Sequence, residues 1–124
     1  MSFEQFKQAF ECQGVDNIIL EDFFKITTGN IGLAQELLVL FKEQFQNHLE
    51  QWQKPQDIHD RIHLIHAIKG AARCIAARKL ADLSDDVERQ LRNNQEVTLT
   101  QNTDLQTYCT ALLTYITHIE TLKK

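Results

Sequence analysis

Apolar residues recur at spacings of three and four along most of this chain, and no segment alternates cleanly with period two, so the pattern predicts helices and no sheet. Over residues 31–53, Leu33, Leu37, Leu38, Leu40, Phe41, Phe45, Leu49 and Trp52 fall on one side of a helix. Gln35, Glu36, Lys42, Glu43, Gln46 and Glu50 fall on the other. A second long helix is predicted over 56–76, where Ile58, Ile62, Leu64, Ile65, Ile68, Ala71, Ala72 and Ile75 form a broad apolar arc. Beside it runs a polar strip of His59, His63, His66, Gly70 and Arg73, with Lys69 on the margin, able to reach out over the strip. Leu80, Leu83, Val87 and Leu91 give a third stripe over 78–93, ended by Asn93-Asn94. Thr98 or Thr100 can cap a last helix carrying Leu105, Tyr108, Leu112, Tyr115, Ile116, Ile119 and Leu122. Lys123-Lys124 suits its negative end.

The N-terminal part predicts two short helices. Phe3, Phe6 and Phe10 make one stripe, closed by Gly14. Ile18, Ile19, Phe23 and Ile26 make another, capped by Asp16 or Asn17 and ended at Thr27-Thr28-Gly29-Asn30. Pro55 stops the first long helix or begins the next, and Ala76-Ala77-Arg78 is a candidate kink. Short connections make neighbouring helices antiparallel. The expected fold is therefore all-α: an up-down-up-down four-helix bundle with short N-terminal helices, one domain over 1–124.

Composition narrows the function. A net charge of −4 argues against a general nucleic-acid binder. No apolar run is long enough to span a membrane, and no basic stretch leads into an apolar run as in a signal peptide. Cys12, Cys74 and Cys109 are odd in number and lack a CxxC, which fits a reducing compartment, the cytoplasm, with each thiol a small core residue. The four glycines form neither GxxxxGK[ST] nor GxGxxG, and GxSxG and HExxH are missing too, so catalysis by this chain alone, or use of ATP, has no motif behind it.

Chemistry concentrates in His66-Ala67-Ile68-Lys69-Gly70-Ala71-Ala72-Arg73. A glycine inside a good helix costs about 1 kcal/mol relative to alanine, and close approach by another molecule would repay it. An imidazole nitrogen is a competent nucleophile toward a phosphoryl group. Lys69 and Arg73 follow His66 by one and two turns, placed to offset the negative charge of a phosphohistidine. Two other readings compete: a helical module that binds a partner without phosphotransfer, and a metal-binding bundle using His59, His63 and His66. The latter lacks further ligands from a second helix.

The run His66-x-x-Lys69-Gly70-Ala71-Ala72-x-x-Ile75-x-Ala77-x-x-Leu80-Ala81, with Glu88 further on, resembles the signature of the histidine-containing phosphotransfer (HPt) domain of multistep two-component phosphorelays. The resemblance is close over the two helices that carry it, and extends in pattern to the first long helix. It implies His66 as phosphoacceptor through Nε2, Lys69 as partner of the phosphoryl group, and Gly70 as the opening for the partner. Glu88 would orient the imidazole through Nδ1. It implies no cofactor on this chain, with Mg²⁺ brought by a receiver domain. The partners would be the receiver domains of a hybrid sensor kinase or a response regulator; the four-helix pattern itself leads to the expectation of a monomer. Arg61, Lys69, Arg73, Arg78 and Lys79 would steer acidic receivers. The family usually has glycine ten residues after the histidine. This chain has Ala76 there, still small enough for close packing.

Overall fold

A computed structural model describes residues 30–54, 56–75 and 77–121 of the chain. The short N-terminal helices, Cys12, Pro55, Ala76 and Lys123-Lys124 lie outside the described residues. Among the described residues there are four α-helices: α1 (Ile31–Trp52), α2 (Ile58–Cys74), α3 (Arg78–Arg92) and α4 (Leu99–Thr121).

Local chemistry sets the ends. The Asn30 side chain accepts the Leu33 N–H at 3.0 Å and opens α1. Asp57 does the same for α2 through the Asp60 N–H at 2.8 Å. Thr98 and Gln101 cap α4 reciprocally: the Thr98 hydroxyl accepts the Gln101 N–H, and the Gln101 side chain accepts the Thr98 N–H, both at 3.1 Å. At the end of α3, Asn94 takes φ 57°, a left-handed conformation that asparagine tolerates. The chain then folds back so that the Gln95 N–H reaches the Gln90 carbonyl at 2.8 Å.

Each helix packs against its neighbours in chain order, and α4 closes the ring onto α1. The pairs His66–Glu88 and Lys69–Asp85 run in opposite senses, so α2 and α3 are antiparallel. The start of α4 lies against the end of α1, where the Trp52 indole N–H donates to Asn102 Oδ1 at 2.7 Å. The core is continuous through Leu38, Phe45, Ile65, Ile68, Leu80, Val87, Leu105, Leu112, Tyr115 and Ile116. Burying each such side chain contributes roughly 1.5–3 kcal/mol, and this, rather than intrinsic propensity, holds the helices.

Three details differ from the sequence pattern. Leu33 and Leu40 of α1 are 45% and 54% exposed, whereas Gln35, expected in solvent, is buried. The buried line of α1 runs through Ala34, Leu38, Phe45 and Trp52, narrower and slightly rotated from the predicted stripe. Ile58, the first residue of α2, is also exposed. Among the cysteines, Cys109 is a core residue whose thiol burial pushes up to about 12. Cys74, by contrast, is exposed at the end of α2.

Candidate functional site

The seam between α2 and α3 is the most extensive helix contact among the described residues, and both helices bury small side chains: Ala71 and Ala72 on one, Ala81 and Ser84 on the other. Close approach of the helices lets polar side chains meet across the outer edge of the seam. There Glu88 has a side chain only 7% exposed, beside an imidazole that is 62% exposed.

His66 presents Nδ1 to both carboxylate oxygens, 3.1 Å from Oε1 and 3.2 Å from Oε2. The Lys69 ammonium sits 2.8 Å from Oε1. From the other side, Arg92 donates through Nε at 2.9 Å and Nη2 at 2.8 Å, both to Oε2. Burial alone raises the pKa of Glu88, but the hydrogen bonds from Lys69, His66 and Arg92 outweigh it and bring the carboxyl down to about 2. An ionised carboxylate has no proton to give. A neutral His66 ring must therefore carry its hydrogen on Nδ1, leaving the lone pair on Nε2 across the ring.

Of the residues singled out in the sequence, the structure brings His66, Lys69 and Glu88 together. Gly70 lies on the exposed strip next to them, and a Cβ built there meets nothing within 4 Å. Packing within the bundle therefore does not require a glycine at this position. Lys69 differs from its expected posture: it is only 13% exposed and turned inward onto Glu88 and Asp85, the latter at 3.3 Å. Two carboxylates on α3 hold the ammonium there. Arg73 is exposed on the same helix and belongs to no ion pair among the described residues. Arg61, one of the expected steering cations, lies over the Trp52 ring, 4.2 Å from its centroid.

Sequence reasoning missed Arg92 and Asp85. Arg92 was findable as the i+4 partner of Glu88 on a helix surface. Asp85 carried no signal without knowing which face of α3 meets α2. Of the histidine strip, His59 and His63 are exposed, and among the described residues no group of three His, Cys, Asp or Glu side chains is placed to hold a metal ion. No helix among the described residues is long and apolar enough to cross a membrane.

The family model of the Hpt domain matches residues 36–120, which span all but the first turn of the described bundle. The chain belongs to that family, whose activity is histidine phosphotransfer in two-component phosphorelays through interaction with receiver domains. No match to a curated protein or to a solved structure was found.

Proposed function

We propose that this Hpt domain is a phosphorelay intermediate that accepts a phosphoryl group on His66 Nε2 from the aspartyl phosphate of one receiver domain and passes it to an aspartate of another. The observation that carries the reading is an exposed imidazole whose Nδ1 is held by a buried, ionised Glu88. In the forward step the Nε2 lone pair forms the P–N bond as the P–O bond to the receiver's aspartate breaks, and that aspartate leaves as a carboxylate. No proton moves. The hydrogen stays on Nδ1, the ring becomes cationic, and Glu88 offsets the new charge. The same charge makes the ring a good leaving group for the onward step, which runs in reverse on the second receiver.

Lys69, one turn from His66 and bonded to Glu88 Oε1, can shift from Glu88 toward the new phosphoryl group while Arg92 stays on the carboxylate. Gly70 leaves open the space beside the ring that a receiver's active site needs. The receiver brings the Mg²⁺ that neutralises phosphoryl oxygens during transfer. The docking surface surrounds His66 on α2 and extends to the exposed face of α1, where Leu33 and Leu40 present apolar area. Arg73, Arg78 and Lys79 steer an acidic receiver toward it; Arg61, packed on Trp52, contributes charge but not a mobile contact.

Incubation with a phosphorylated receiver tests the reading. The wild-type chain should acquire an acid-labile, base-stable label, and Lys69→Ala should acquire it more slowly without unfolding. A wild-type chain that takes no label from any receiver of its source organism sinks the proposal, and a labelled His66→Gln variant moves the site elsewhere.

A further inference from the structure

Glu88 is anchored twice, and the two anchors are not equivalent. Lys69 holds Oε1 by a single ammonium contact at 2.8 Å, shared with Asp85. Arg92 holds Oε2 by two donors of one planar guanidinium, 2.9 and 2.8 Å away, one turn along the same helix. An ammonium is a point charge that pivots on its contact, whereas a planar guanidinium converging two donors on one oxygen pins the position of that atom. The imidazole Nδ1 lies almost equally far from both oxygens, at 3.1 and 3.2 Å, so rotation of the carboxylate would withdraw one of them from the ring.

We infer that Arg92 is a positioning residue: by converging Nε and Nη2 on Oε2, it pins that oxygen 3.2 Å from His66 Nδ1. That holds His66 in the tautomer that leaves Nε2 free, including when Lys69 is drawn toward a phosphoryl group. This rests on the phosphotransfer reading for its purpose but not for its geometry. The groups facing Glu88 are His66 and Lys69 from α2, with Arg92 from α3; Asp85 faces it only through Lys69. Arg92 bonds to Glu88 and not to the ring. Its effect on His66 therefore passes through Glu88.

The discriminating measurement needs no receiver. Nitrogen-15 shifts of the His66 ring, recorded on the full chain near pH 8 where an ordinary histidine is neutral, report which nitrogen carries the hydrogen. The wild type should be mainly the Nδ1–H form. Arg92→Ala should shift the ring toward the Nε2–H form that free histidine favours, and should slow labelling by a phosphorylated receiver about tenfold. Arg92→Lys, which restores charge without the fork, should recover less than half of the tautomer preference. Arg92 is more than half exposed near the end of α3, so both variants should fold, which helical circular dichroism checks. Wild-type tautomer populations in Arg92→Ala, or full recovery in Arg92→Lys, overturn the inference. A wild-type chain with the expected tautomer that takes no label overturns the phosphotransfer reading instead.

Discussion

The two sides of α2 treat ionisable groups in opposite ways. Toward α3, burial of Glu88 is answered by three donors, and the group stays charged, with its pKa near 2. Toward α1, a cleft of about 430 Å³ is lined by His48, Gln51, Gln56, Asp60 and His63. There the buried Nδ1 of His48 has no hydrogen-bond partner, and burial lowers the pKa of the ring, favouring its neutral form. Both seams contain histidine and carboxylate. Only one brings them within bonding distance, and only there does the fold prepare a nitrogen for chemistry. A histidine-rich strip in sequence thus separates into one residue with a partner and two, His59 and His63, facing solvent.

The sharpest way to break this contrast is to remove one histidine from each side. His66→Gln should lose phosphoryl labelling to background, while His63→Gln should stay within about twofold of wild type, since it lacks a carboxylate partner. Equal losses would erase the distinction. Next in size is the buried anion. Glu88→Ala leaves Lys69 with Asp85 alone and should cost about 1–3 kcal/mol in urea unfolding. A depressed carboxyl stabilises the fold fully above its unfolded pKa, so this contribution should be present above about pH 4.5 and fade as pH falls toward about 2. Glu88→Gln should lack that acid limb.

The opposite seam gives the converse test. The folded-state pKa of His48 lies below the ordinary 6.5, so its neutral ring favours the fold above that pH, and stability should decline as pH falls below it. Replacement by leucine should flatten that decline. Smallest, and opposite in sign, is Gly70→Ala. With open space at the new Cβ, it should raise the unfolding free energy by about 0.5–1 kcal/mol while slowing transfer. Unchanged transfer would deprive Gly70 of its role at the interface.

Helix spacing along the chain predicts all four described helices, with every end except the last, which runs into residues outside the described ones, placed to within about two residues, because apolar periodicity and caps such as Thr98 act locally. The pairing of His66 with Glu88 was legible only through family resemblance, since it joins residues on different helices. The inward posture of Lys69 is not legible because its two carboxylate partners come from α3; the Glu88–Arg92 spacing is legible as an i+4 pair, but its weight depends on the burial of Glu88, which spacing does not reveal. Leu40 misled in the other direction: a spacing rule assigns a face but not how wide a band the neighbours cover.

The clamp on Glu88 is built from both strands of a helical hairpin, so it is also a gauge of alignment. Sliding α2 by one residue against α3 displaces every facing pair by about 1.5 Å along the axis and turns each side chain through about a quarter of a revolution. Lys69 and His66 would then leave Glu88 together, while the apolar interior could still find partners. On this reading a misaligned chain is mute before it is unfolded, and only a hairpin seated in its proper notch can pass the signal on.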